Sequence, residues 1–220
     1  MEVASRQFDT ALFDVDGTLI DSNAAHAEAW AQALQDHHTR VDVARIRPLI
    51  GKGGDKLLCE VVGIEEDSPT GRSIRQRKKQ IFAKSLPGLR PTHGARELLE
   101  HLLAQDVTLG TATSADDSEL GQLLRQAGID DLIHLRASND DAGESKPDPD
   151  IVKAALARTK GRPEVTVMIG DTPHDIEAAG RAGVASIALR CGGYWSDTDL
   201  KNAIAVFDDP AHLLKALRKA

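Results

Sequence analysis

Short apolar runs that stop abruptly in turn residues punctuate this chain. The first, at residues 11–13, breaks into the acidic, glycine-containing D-V-D-G-T-L. A run of that kind reads as a buried strand. Similar runs recur at 107–109, 132–135, 165–169 and 185–189, with amphipathic helical stretches between them. Leu98, Leu99, Leu102 and Leu103 give one wide apolar face. Leu120, Leu123, Leu124 and Ala127 give another, with Gly128 placed to end that helix. Asp148 and Pro149 read as the N-cap and first position of a helix running to residue 157. Strands alternating with helices predict a doubly wound α/β core, a parallel sheet covered on both faces.

Residues 22–87 break that alternation. The segments 24–34, 43–49, 55–62 and 73–83 all read as helices, with no convincing strand among them. Pro87-Gly88 and Pro91 punctuate the return to the α/β pattern. The economical division is a core from 1–21 and 88–220, carrying a helical insert at 22–87 hinged near 20–22 and 86–91. Within the insert Arg72, Arg75, Arg77, Lys78 and Lys79 form a basic cluster, read as a solvated helix face.

Composition narrows the function classes. The 220 residues carry 27 basic and 34 acidic side chains, a net charge of −7 that argues against a general nucleic-acid binder. Aromatics at 3% disfavour a stacking surface for single strands. No apolar run approaches the ~18 residues of a membrane span, and the N-terminal M-E-V-A-S-R-Q-F lacks a signal peptide's apolar core. Cys59 and Cys191 are too few for a disulfide framework and read as small buried hydrophobes in a reducing, cytoplasmic setting. Oligomeric state is left open.

Four strand-end segments carry the chemistry. Asp14 and Asp16, two apart in extended chain, project to one side and concentrate negative charge. A calcium loop fails on spacing, because glycine comes fourth rather than sixth. That leaves a polar turn capping a strand, or a carboxylate nucleophile with a neighbouring acid/base, both served by a metal. Asp171 and Asp175, in G-D-T-P-H-D, follow the 165–169 run and taken alone could simply cap a helix. Open parallel sheets, however, bind ligands beyond the carboxyl ends of their strands. These acids therefore converge, and such a crevice calls for a hard cation such as Mg²⁺. After residues 107–109, Thr113 and Ser114 offer hydroxyls for a phosphate, beside the free N–H groups of a coming helix. Lys146, between Ser145 and Pro147, reads as a held charge neutraliser.

In that order these motifs resemble the four motifs of the haloacid dehalogenase superfamily, over essentially the whole chain. The resemblance implies a Rossmann-like core with an α-helical cap domain inserted after the first motif. It implies Asp14 as a nucleophile forming an aspartyl-phosphate, with Asp16 first protonating the leaving group and then activating water. Asp14, the Asp16 backbone carbonyl and Asp171 would hold Mg²⁺, with Asp175 supporting; Thr113 and Lys146 would grip the phosphoryl group. An aspartate two positions after the nucleophile points to phosphate esters rather than dehalogenation. The chain is similar to the phosphoglycolate phosphatase and β-phosphoglucomutase branch, whose mutase also has His and Trp at the positions of His26 and Trp30. Lys52, in the glycine-rich I-G-K-G-G-D, stands where the family's cap selects substrates. The expectation is a Mg²⁺-dependent phosphatase of a small phosphate ester. A phosphosugar mutase is the alternative, and a non-catalytic phosphoester-binding module a more distant one.

Overall fold

The computed structural model describes residues 2–3 and 6–219. A short antiparallel pair, β1 (Glu2–Val3) and β2 (Arg6–Gln7), precedes the strand β3 (Thr10–Phe13). Four helices follow: α1 (Asn23–Asp36), α2 (Val43–Ile46), α3 (Gly54–Val62) and α4 (Pro69–Ser85). The alternating part then runs α5 (Ala95–Leu103), β4 (Thr108–Ala112), α6 (Asp117–Ala127), β5 (Leu135–Ala137), α7 (Asp150–Thr159) and β6 (Thr166–Gly170). It closes with α8 (Pro173–Arg181), β7 (Ala185–Leu189), β8 (Ala205–Phe207) and α9 (Pro210–Leu217).

Strands β3 to β8 form one parallel sheet in the order β5-β4-β3-β6-β7-β8. The chain builds outward from β3 on one side, then returns to β6 on the other, so both neighbours of β3 end beside it. Successive residues of β3 face opposite layers, as the pleat requires. Ala11 and Phe13 join the apolar layer of Leu98, Leu102 and Leu123. Leu12, paired in register with Met168, faces Ile151, Val152 and Ala178 instead. The sheet is thus covered on both sides, which is why its strands read as continuous apolar runs. Local chemistry sets the helix ends. Asp116 caps α6 by accepting from the Glu119 N–H, and Gly128, at φ +69°, ends it in the left-handed region. Helices α1 to α4 enclose a cluster of their own, with Trp30, Leu34, Ile46, Leu58 and Ile74 at its centre.

Several expectations need correction. The strand expected at 132–135 lies at Leu135–Ala137, because Leu132 still belongs to the preceding turn and Ile133 is a loop residue buried in the α5–α6 layer. Asp148 caps no helix: α7 starts at Asp150, and the Asp148 carboxylate instead accepts from Lys56 and Arg181. Cys59 is exposed and Cys191 half-buried, so neither is the fully buried hydrophobe expected. Lys78 leaves the solvated face and is buried. Among the described residues no helix is long and apolar enough to cross a membrane.

Leu12 is fully buried in the strand on which the sheet is centred. Leu12→Ala should therefore lower unfolding free energy by about 2–5 kcal/mol, measured by urea titration.

Candidate active site

Adjacency of β4, β3 and β6 brings their carboxyl ends together, so the residues just beyond them meet. Asp14 follows β3, Thr113 follows β4 and Asp171 follows β6. Lys146 arrives on the loop after β5 with no exposed surface. Its Nζ donates to Asp14 Oδ1 and to Asp175 Oδ1, each at 2.7 Å. Asp175 does not simply cap a helix. Its Oδ2 accepts from the Thr172 N–H and hydroxyl in a capping box that starts α8, while its other oxygen serves Lys146. Asp171 is held at both oxygens, by the Thr18 hydroxyl at 3.0 Å and the Asn23 amide at 2.8 Å.

Three buried carboxylates thus face one buried ammonium. Burial pushes Asp14 up to about 7; Lys146 opposes that shift, while the charges of Asp175 and Asp16 add to it. Burial and the neighbouring Asp175 and Asp14 raise Asp171 well above the carboxylate range. Burial also works against the charge on Lys146, but Asp14 and Asp175 outweigh it and raise its pKa. Asp14 Oδ2 is buried and has no hydrogen-bond partner. One carboxylate oxygen each from Asp14, Asp171 and Asp175 lie within 4.8 Å of one another. An all-oxygen donor set with excess negative charge and an unsatisfied buried acceptor fits a hard divalent cation.

Asp16 belongs to a second group. His26 Nε2 lies 2.8 Å from its Oδ1, and the Ser22 hydroxyl donates to the same oxygen at 2.5 Å. Burial disfavours the Asp16 charge, yet His26, Ser22 and Lys78 together hold its pKa below the usual range. His26 is buried and stacks on Phe82, with ring centroids 3.8 Å apart. Lys78 reaches the same place from α4. It donates to both Glu119 oxygens at 3.3 Å and lies 4.9 Å from the Phe82 ring centroid.

Asp14, Asp16, His26, Lys52, Lys78 and Glu119 all line one cleft of about 70 Å³ between the helical insert and the sheet, beside Thr113 and Ser114. At Lys52 the ammonium is paired with Glu60 at 2.6 Å. The Ser114 hydroxyl donates to the Gly51 carbonyl at 3.1 Å, and Thr113 Oγ1 accepts the Ala115 N–H at 3.2 Å. Sequence reasoning missed Ser22, Asn23, Lys78 and Glu119 as parts of this site. Only Lys78 left a usable signal: Ile74, Lys78 and Phe82 recur every four residues, so they share a helix face with buried neighbours.

Comparison with known proteins identifies the family. Residues 11–189 match the family model described as haloacid dehalogenase-like hydrolase. The validoxylamine A 7'-phosphate phosphatase of Streptomyces hygroscopicus subsp. limoneus is 30% identical over 83% of this chain and 85% of that protein. The phosphoglycolate phosphatase of Rhodospirillum rubrum is 28% identical over 92% of this chain and 88% of its own. A crystal structure of a hydrolase from Pseudomonas syringae superposes with a TM-score of 0.89 at 28% identity, covering 96% of this chain and 98% of that one. The matched span begins within β3 and ends with β7, taking in every acid just described, and the chain belongs to the haloacid dehalogenase-like hydrolases.

Proposed function

We propose that this haloacid dehalogenase-like phosphatase hydrolyses a small-molecule phosphate monoester in two displacements, with Mg²⁺ bound and Asp14 as the nucleophile. One observation carries the reading: Asp14 is buried, tied to Lys146 through one oxygen, and left with its other oxygen unpartnered at the cleft. A carboxylate so placed attacks phosphorus, forming an aspartyl-phosphate as the bond to the leaving oxygen breaks. The Asp16–His26 pair, 2.8 Å apart, shares the proton that passes to that oxygen, and Asp16 then takes one from the water that releases phosphate and restores Asp14. Lys146 and Thr113 hold the phosphoryl oxygens. Asp14, the Asp16 carbonyl and Asp171 would hold Mg²⁺, with Asp175 supporting, and the bound ion supplies charge that offsets repulsion between Asp14 and the phosphate.

Residues 22–87 serve as the cap in this reading. A cleft of about 70 Å³ is well below the ~300–1,000 Å³ of ordinary ligand pockets, so substrate entry requires the cap to lift. Cap residues Lys52, His26 and Lys78 then meet the leaving group on closure, where they choose the ester. Phosphate release from a panel of small esters tests the activity. Sugar 1-phosphates in the same panel, assayed for isomer formation, separate a mutase from a phosphatase; the contact between His26 and Asp16 is the observation that keeps the mutase in view.

Asp14→Asn should lower turnover by roughly 10⁴-fold or more, because an amide cannot replace the nucleophile. Acid-quenched wild-type protein should carry its phosphoryl adduct on Asp14, and an adduct elsewhere would overturn the roles given.

Metal and proton compete at the acids. In the metal-free protein Asp14 and Asp171 bind protons more tightly than in the unfolded chain. The folded state therefore binds more protons above the ordinary aspartate range, for Asp14 up to about 7, and the stability these two groups contribute is lost as pH rises through it. Mg²⁺ must displace those protons, so its stabilisation grows over the same window. The rise in Tm on adding Mg²⁺ should be larger at about pH 7.5 than at about pH 5. Equal rises would contradict the metal assignment.

Lys52→Ala should reduce kcat/KM about 10-fold for an ester with an anionic or hydroxyl-rich leaving group, and leave an aryl phosphate within about 2-fold. Unchanged kinetics for both would place Lys52 outside the substrate contacts.

A further inference from the structure

Asn23 is the first residue of α1, but it does nothing for that helix. The N-cap residue is Ser22, which makes no side-chain capping bond because its hydroxyl is turned to Asp16. Asn23 instead reaches into the core. It is 4% exposed, and its amide nitrogen donates to Asp171 Oδ2 at 2.8 Å, with the Gly192 carbonyl 3.4 Å away. The amide oxygen is buried and has no hydrogen-bond partner. The side chain leaves an acceptor unsatisfied in order to keep a donor on Asp171, an arrangement packing alone does not require.

The surroundings are built to the same end. Thr18, fully buried, donates to the other Asp171 oxygen at 3.0 Å, so the carboxylate is held at both ends. Glycines stand where any side chain would disturb it. A Cβ on Gly17 would come within 2.1 Å of the Asn23 amide nitrogen and 2.4 Å of Asp171 Oδ2, and one on Gly192 within 1.8 Å of that oxygen. Each held oxygen keeps a further lone pair for a cation. Partners of this kind fix the direction of a metal-binding carboxylate and so set its affinity.

We propose that Asn23 is a positioning residue that holds the Asp171 carboxylate in the orientation a divalent cation requires, acting on the core from the cap's first helical turn. The proposal rests on the metal reading given under the proposed function. Its test is the Kd for Mn²⁺ alone, measured by electron paramagnetic resonance on wild type, Asn23→Ala and Asn23→Ser, with Tm in chelator as the check on folding. Asn23→Ala should bind Mn²⁺ about 10–100-fold more weakly. Asn23→Ser, which keeps a donor, should recover part of that loss and carries the test if the alanine variant fails to fold. If wild type does not bind Mn²⁺, the metal reading itself falls. If wild type binds and both variants match its Kd, even with a lowered Tm, Asn23 is merely structural and the positioning role is overturned.

Discussion

A fully buried ammonium holds this site together. Lys146 cannot leave its place without exposing Asp14 and Asp175 to each other, and its charge is what opposes the upward push of burial on Asp14. Burying a charge is costly unless it is paired and hydrogen-bonded, and two aspartates at 2.7 Å meet that condition. Its neutralisation is nonetheless incomplete. Asp171 brings a third carboxylate, held by the neutral Thr18 and Asn23, and burial together with the charge of Asp175 raises both Asp14 and Asp171. The site favours added positive charge, which a bound metal would supply and protons supply only at lower pH.

The architecture converts that local demand into a reaction site. Because β3 lies between β4 and β6, an acid at the end of one strand meets acids and hydroxyls from its neighbours without long loops. Asp175 shows how closely fold and chemistry are joined. One of its oxygens starts helix α8 and the other steadies Lys146, so the helix start and the charge balance share one side chain.

Most of this was legible because it is local. The segment D-V-D-G-T and the later G-D-T-P-H-D are turn chemistry following apolar runs, and both sit at strand ends as their spacing suggests. What was illegible depends on distant partners. Asp148 looks like a helix cap until Lys56 and Arg181 arrive from other elements. Lys78 looks like one more surface cation until Glu119, on the far side of the cleft, draws it inward. Asn23 carries no local signal, since its partner Asp171 lies 148 residues away. Strand β8 and helix α9 went unread although residues 203–207 form an apolar run that stops at Asp208-Asp209-Pro210, the signal read elsewhere in the chain.

The helical insert has an apolar cluster of its own, and Ala29 and Phe82 join it to the layer on the sheet. Leu58 and Ile74 pack within the insert's own cluster, away from the pairing of Leu12 with Met168, whereas Trp30 lines the cleft beside Asp14 and Asp16. In the proposed reading, changes at Leu58 or Ile74 bear first on the roof over the leaving group and only through α1 and α4 on the acids beneath it. The fold is thus only partly modular under mutation: Asn23, His26 and Lys78 tie the insert to Asp171 and Asp16, so changes that displace them reach the acids as well.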